Sequence, residues 1–481
     1  MSMINRTVLP LLTFFLLCAG CAWAGGGKHS IPGPSPDPAT PWKPPSAESI
    51  EKPKAAPKEP VELPQSGEAL TIADVVEIAL KNNPQTRAAW FTAKAAWNDM
   101  KSKESGYYPS ADLTVNLTKT KQAIAAGRLA FQQTTWGPSV SLSYLLFDFG
   151  KRRGDLESAR QEFIASSFSQ NAVIQNVILE VEAAYVSYLK TKALLAAAES
   201  NVKNAQENLN AAEERHRAGL ATIADVLQAK TFLSQAELNR DTLEGQVLSL
   251  KGGLAASMGL PATVDIDVVA LPEEIPELGI QETVDSLVEQ AEQQRPDLAA
   301  ARARAVEAQK KVKSTRAEGL PSVVLNSTAG RTHYIDPSGS PASNSYTFGV
   351  SLQFPIFTSL ENHYNILKAK AEAEAARATA DQLANQVILD VWMSYYAMKT
   401  AKQKIKTSRD LLDSAEESEK VALERYKAGV GRILDLLAAQ SALADARAQQ
   451  ISARADWFLA LAFLAHDIGA LVIPSFTPGK P

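Results

Sequence analysis

Two cysteines, Cys18 and Cys21, are all that the 481 residues contain, and both lie near the start. The rest of the chain has no internal disulfide and no thiolate metal site. Histidine is almost as scarce. His29, His216, His333, His363 and His466 are scattered, without a nucleophile–base pairing or a metal-ligand spacing, so neither an enzyme nor a bound cofactor or metal is expected. Positive charge is not in excess: 49 Lys and Arg stand against 53 Asp and Glu, a formal net charge of −4, which gives nucleic acid no support as a partner. Beyond the leader, long apolar runs are missing too. The stretch 457–465 comes nearest and falls short of the ~20 residues of a membrane-spanning helix. If the protein enters a membrane, it does so as strands.

What is present begins with an export signal over 1–24. Arg6 supplies the positive start and 8–17 the apolar stretch. Two cleavage readings stay open. Ala22-Trp23-Ala24 suits ordinary signal peptidase before Gly25, whereas Ala19-Gly20-Cys21 resembles a bacterial lipobox, with lipidation of Cys21, although Cys18 stands where that pattern usually has Leu. Residues 25–68 form a Pro-rich tether whose composition cannot bury enough apolar surface to fold. Export together with cysteine poverty points to a bacterial envelope.

The body of the chain says the same thing twice. Glu214-Arg215-His216-Arg217-Ala218-Gly219 followed by Asp225 returns as Glu424-Arg425-Tyr426-Lys427-Ala428-Gly429 followed by Asp435, and 429 − 219 = 435 − 225 = 210. Val140-Ser141-Leu142 matches Val350-Ser351-Leu352 at the same offset, while Pro84 and Pro109 match Pro296 and Pro321 at 212. A period this long is a duplicated domain, not a solenoid unit. The first repeat spans 69–258 and the second 282–471, joined by 259–281, which is rich in Pro and acids and leaves 472–481 as a tail.

Each repeat reads as one helical segment (72 to about 105, 283 to about 317), two strands, a very long helix and a further helix after the Gly motif. The strands follow from period-two alternation. Leu113, Val115 and Leu117 alternate with Thr114, Asn116 and Thr118, and Tyr346, Phe348, Val350, Leu352 and Phe354 with small polar residues. One apolar, aromatic face opposite a small polar one fits a barrel wall, and equally a soluble sheet with one buried face. The helices decide between them. Residues 151 to about 215 and 360 to about 425 contain no Pro, and each would run on the order of 95 Å. Apolar residues such as Val173, Val177, Val181, Tyr185 and Tyr188 recur at three and four spacings, as in a coiled-coil-like tube. Four strands per chain cannot close a barrel, and a lipid-embedded sheet tolerates no open edge. The chain is therefore expected to assemble, and three copies would supply twelve strands.

These residues resemble the TolC family of bacterial outer-membrane efflux and secretion ducts. The match rests on Asn83-Pro84 with Arg295-Pro296, the strand entries Tyr108-Pro109 and Leu320-Pro321, the exit Leu146-Phe147-Asp148-Phe149-Gly150-Lys151-Arg152-Arg153, and the two Arg-x-x-Ala-Gly tips. It implies an α+β membrane protein with a duplicated TolC-type repeat: a homotrimeric β-barrel in outer-membrane lipid, four strands per chain, joined to a long periplasmic α-helical barrel. It also implies a passive duct whose energy comes from an inner-membrane pump and a periplasmic adaptor protein.

Residue by residue, the resemblance makes Arg215, Arg217, Gly219, Arg425, Lys427 and Gly429 the tips that dock the adaptor. The glycines also end helices in the left-handed conformation, and the basic residues stabilise helix C-termini. Asp225 and Asp435 fall where the family places carboxylates at the periplasmic aperture, with local N-capping or a salt bridge as the alternative role. The chain departs from the family pattern at Ala438, which is not a second acid, and at Gly431, with Arg432 one place late; both departures weigh against a double acidic ring. The expected function is the exit duct of a tripartite drug-efflux system. The exit duct of a type I protein-secretion system and a periplasmic coiled-coil structural or adaptor protein are the alternatives.

Overall fold

A computed structural model describes residues 69–124, 129–272, 283–336 and 341–471. The leader, Cys21, the tether and the C-terminal tail lie outside the described residues. The first repeat consists of α1 (Ile72–Asn82), α2 (Pro84–Ser105), β1 (Ser110–Ile124), β2 (Leu129–Phe147), α3 (Lys151–Arg217) and α4 (Ile223–Ser257). The second repeats it as α5 (Val284–Gln294), α6 (Pro296–Glu318), β3 (Ser322–Asp336), β4 (Ser343–Gln353), α7 (Glu361–Lys427) and α8 (Ile433–Asp467).

The single helical segment expected at the head of each repeat is two helices. Proline disfavours helical backbone in the residue before it, so Asn83 sits at φ −65°, ψ 125° and Arg295 at φ −66°, ψ 118°, each ending one helix and opening the next. The corners are secured differently. Asn83 caps with its own side chain, accepting from the Gln85 N–H at 2.8 Å, and its amide donates to the Ser257 carbonyl at 3.1 Å. Arg295, equally buried, instead holds Asp297 at 2.7 Å and Asp390 at 2.9 Å.

Against each corner packs the end of the repeat's last helix, turned by a glycine with φ near +75°. A Cβ on Gly259 would lie 2.7 Å from the Asn82 carbonyl oxygen, and one on Gly469 2.8 Å from the Gln294 carbonyl carbon, so both positions need glycine for space as well as for backbone sign. The two glycines stand 469 − 259 = 210 residues apart, the period of the duplication.

All four strands form one antiparallel sheet in the order β1-β2-β3-β4. The β2–β3 ladder joins the repeats and leaves β1 and β4 as open edges. Leu113, Val115 and Leu117 on β1 are 63–70% exposed, and Tyr346, Phe348, Val350 and Leu352 on β4 are 61–88% exposed. Water-soluble monomers rarely expose an apolar face of this kind.

The strand exit works as a latch. Phe149 and Gly150 take positive φ, and the buried Asp148 accepts from the Gly150 and Arg152 backbone N–H groups and from Arg152 Nε at 3.1 Å. The Arg152 guanidinium also donates to the Gly106 and Leu146 carbonyls and lies 4.9 Å from the Tyr107 ring, tying the end of α2, the end of β2 and the start of α3 together.

Below the sheet, α2, α3, α6 and α7 lie side by side, with α4 against α3 and α8 against both α7 and α3. α3 and α7 each run 67 residues, or about 100 Å at ~1.5 Å per residue. Gly154 allows closest approach of α3 to α6, where Lys310 pairs with Glu157 at 2.6 Å and Ser158 donates to Glu307 at 2.5 Å. Among the described residues no helix is long and apolar enough to cross a membrane.

The main core lies midway along α3. Val177, Ile178, Val181 and Tyr185 meet Val75, Val76, Leu254 and Met258 there, together with Ile266 and Val268 of the inter-repeat segment. That segment returns to the start of the first repeat: the Leu70 N–H donates to the Asp267 carbonyl at 2.9 Å, and Tyr185 donates its hydroxyl to the Val269 carbonyl at 2.6 Å. Burial, reinforced by the charge of Asp74, pushes the Tyr185 phenol up to about 12.

Candidate functional site: the paired helix tips

The end of the helices remote from the sheet holds the residues singled out in the sequence. At the first tip the Ala218 N–H donates to Glu214, Gly219 to His216 and Leu220 to Arg215, closing the helix through Gly219 at φ +76°. The second tip repeats this with Ala428 to Glu424, Gly429 to Tyr426 and Val430 to Arg425, with Gly429 also at φ +76°. Gly431 adds a further bond to the Arg425 carbonyl at 2.9 Å, and a Cβ there would sit 3.0 Å from the Tyr426 nitrogen. The first copy has Ala221 at the corresponding place, so the second tip is the tighter turn.

The two tips pack on each other. Leu209 and Ala212 of α3, Leu233 of α4 and Ile433, Leu436 and Leu437 of α8 form a small core around Tyr426. Arg215 reaches across to it. Its guanidinium lies 4.7 Å from the ring centroid and donates through Nη1 to the Tyr426 carbonyl at 2.8 Å. The basic residue thus stabilises the C-terminus of α7 rather than that of its own helix. Deeper in, Asn208 donates to Gln440 at 2.5 Å and Gln440 to Glu419 at 3.3 Å, a polar chain crossing from one hairpin to the other.

Tyr426 is the residue that sequence reasoning missed. Its mismatch with His216 marks the two tips as unequal but does not show that one ring anchors both. The ring is buried and its hydroxyl has no hydrogen-bond partner among the described residues, as is true of Gln228 Oε1 on α4. Burial raises the phenol's pKa; the Arg215 charge opposes that rise and the Asp225 charge adds to it.

The two aspartates occupy the same turn of their helices and are held differently. Asp225 belongs to a capping box: its Oδ2 accepts from the Thr222 N–H at 2.7 Å and the Thr222 hydroxyl at 2.9 Å, while its own N–H donates to Thr222 Oγ1 at 3.3 Å. Arg432 stands where Thr222 would, and no side chain caps α8. Asp435 is exposed, and its carboxylate has no partner among the described residues. Arg217, Arg425 and Lys427 are exposed, and Lys427 pairs with Glu424 at 3.0 Å. Among the described residues no group of His, Cys, Asp or Glu is placed to hold a metal ion.

The profile of the family described as "Outer membrane efflux protein" matches residues 75–260 and 287–470, one match per repeat. The chain belongs to that family. Curated relatives include Protein CyaE of Bordetella pertussis, 27% identical over 85% of this chain and 86% of that one. The toluene efflux pump outer membrane protein TtgF of Pseudomonas putida is 27% identical over 79% of each chain. Outer membrane protein OprJ of Pseudomonas aeruginosa is 26% identical over 80% of this chain and 83% of that one. Among solved structures, the outer-membrane channel OprN matches at a TM-score of 0.76 and 21% identity, covering 83% of this chain and 90% of that one. VceC of Vibrio cholerae matches at 0.74 and 20% identity, covering 83% and 96%. The fold is that of the TolC-like channels, the protein belongs in the outer membrane with a periplasmic extension, and it is a channel protein rather than an enzyme.

Proposed function

We propose that three copies of this chain form the passive exit duct of a tripartite efflux system. The observation that carries the reading is the sheet: four strands, two open edges and an apolar face exposed to the surroundings. Pairing β4 of one copy with β1 of the next closes twelve strands into a barrel and removes every edge. The exposed Trp392, Met393 and Tyr396 on α7 and Leu238 and Leu248 on α4 become subunit contacts in the helical tube. The chain would reach the outer membrane through the leader over 1–24, with the tether, two repeats and linker divided as the sequence indicates. Globomycin, which blocks lipoprotein processing, should cause an unprocessed precursor to accumulate if Cys21 is lipidated; unaltered processing would assign cleavage to ordinary signal peptidase.

The tips dock the hairpins of a periplasmic adaptor, whose inner-membrane pump supplies the energy. Gly219 and Gly429 shape the turns, and Arg217, Arg425 and Lys427 present charge to the partner, while Arg215 holds the two tips together. Asp435, exposed and without a partner among the described residues, supplies one carboxylate per copy to a ring at the aperture. Asp225 contributes charge nearby, but its oxygens are engaged by Thr222.

Three measurements test the reading. Outer-membrane fractions should contain a heat-modifiable trimer, and recovery as a soluble periplasmic rod would overturn the duct. A crosslinker at position 217 or 427 should capture an adaptor, whose pump then separates drug efflux from type I secretion. In planar bilayers Asp435→Asn should raise single-channel conductance and weaken cation block; unchanged values for both would remove Asp435 from the aperture.

A further inference from the structure

The rows on β1 and β3 end in cations, and those cations lie on one face. On β1 the exposed side of Leu113, Val115 and Leu117 continues at the same two-residue period into Lys119 and Lys121. On β3 the row holding Leu325, Ser327 and Ala329, opposite Val350, Phe348 and Tyr346, continues into Arg331 and His333. The other face carries Thr118, Thr120, Thr332 and Tyr334 there, with no Lys, Arg, Asp or Glu among them.

The register puts the cations on one face, with the aromatic pair between them. Lys119 stands opposite Thr134 and Leu117 opposite Trp136, which in turn stands opposite His333. The Trp136 and His333 rings stack at 4.7 Å and 16°, forming an aromatic plate between the basic positions. Lys119, Lys121 and Arg331 are exposed and have no ion-pair partner among the described residues. Asp336, opposite Thr134, is the one acid among the described strand residues beyond the apolar rows. With neighbouring strands ~4.8 Å apart and ~3.4 Å per residue, the group from Lys119 through Trp136 and His333 to Arg331 spans roughly 17 Å.

This is the hairpin-turn end of the strands, opposite the end from which α3 leaves, so it faces the outer leaflet when the helices extend into the periplasm. At the helix end the exposed belt is aromatic instead: Tyr107, Tyr108, Phe147, Phe149 and Phe357, with the Arg152 guanidinium turned inward to the latch. A Trp-bearing rim on the lipid side, whose cations have no ion-pair partner among the described residues, matches a leaflet whose headgroups carry phosphate. We propose that Lys119, Lys121, Arg331 and the Trp136–His333 plate form a binding rim for the phosphorylated glycolipid of the outer leaflet, repeated three times around the barrel. Lys and Arg hold the phosphates, and the indole and imidazole supply further donors at the headgroup level.

The inference rests on the trimeric duct, and its test separates the two. Full-length trimer purified in detergent is titrated with lipid A, with phosphatidylcholine and with inorganic phosphate, with bound lipid counted by native mass spectrometry. The variant Lys119→Gln/Lys121→Gln/Arg331→Gln should lose at least about tenfold in lipid A affinity, and the Arg and Lys interchange at these positions should largely restore it. A control neutralising Lys399, Lys402 and Lys406 on α7 should bind lipid A as the wild type does. Equal affinity in both variants would overturn the rim while the heat-modifiable trimer still upheld the duct. Displacement of lipid A by equimolar inorganic phosphate would also overturn it, in favour of a free-anion site. Absence of a trimer in the wild type would remove the duct and the rim together. If the triple variant does not assemble, Arg331→Gln alone should weaken lipid A binding, and an unchanged affinity would count against the rim.

Discussion

Tyr426 and Glu182 are both buried polar residues, and they act in opposite ways. Tyr426 unites two tips that the sequence shows only as separate motifs, because Arg215 lies over its ring and bonds its carbonyl. Arg215→Ala removes a charge-assisted hydrogen bond and a cation–π contact, so the tip should lose on the order of 2 kcal/mol. The loss should appear as faster amide exchange at 426–430, with the sheet unaffected; unchanged exchange would show that the contact carries no stability. Glu182 lies on α3 beside Ile178, Val181, Tyr185 and Val186, all buried, and its carboxylate has no partner among the described residues. Burial pushes its pKa up to about 7 from the ordinary 4.5. The folded state therefore holds a proton that the unfolded chain releases, and stability contributed by the neutral acid falls as pH rises between those two values. Glu182→Gln should flatten that decline and raise the thermal midpoint above pH 7, while leaving it nearly unchanged at pH 4; a parallel shift at both pH values would exclude titration of Glu182.

The elements are legible in the sequence wherever a local rule acts. Period-two alternation identifies the strands, the absence of proline over 151–217 allows one uninterrupted helix, and the Gly219 and Gly429 motifs mark its turns. The break at Asn83 and Arg295 is a local rule as well, since proline restricts the residue before it, and the expected single segments give way to two helices there. What local rules cannot supply is the neighbour. Gly219 and Gly259 both have φ +76°, but a Cβ on Gly219 meets nothing within 4 Å, whereas one on Gly259 meets the Asn82 backbone at 2.7 Å. Gly219→Ala should cost roughly 1 kcal/mol of backbone strain, and Gly259→Ala on the order of 3 kcal/mol or more through the added clash. Thermal denaturation of the two variants compares them directly; equal losses would mean that the corner yields freely. The Asp148 latch follows the same logic: Asp148 stands in a motif recognisable in sequence, yet the Arg152 it holds reaches the ends of both α2 and β2.

At the scale of the whole molecule, the duplication becomes a reason for assembly. Each repeat contributes two strands that cannot close a barrel and a 67-residue rod that cannot bury its own face. Removing a copy reopens two sheet edges, so trimer and strand structure should be lost in one transition. Circular dichroism and gel migration after stepwise heating should give coincident midpoints; strands persisting in separated monomers would show that one sheet is stable alone.

The sequence by itself determined the period of 210, the strand faces, the extent of the two long helices and the two glycine turns, because alternation, proline and glycine act within a few residues. Only the tertiary structure decided that Arg215 serves the opposite tip, that Thr222 occupies Asp225 while Asp435 stays exposed, and that Arg331 and His333 share a face with Lys119 and Lys121. Those outcomes depend on which helices and strands lie side by side, and that arrangement is set by burial and register between residues far apart in the chain.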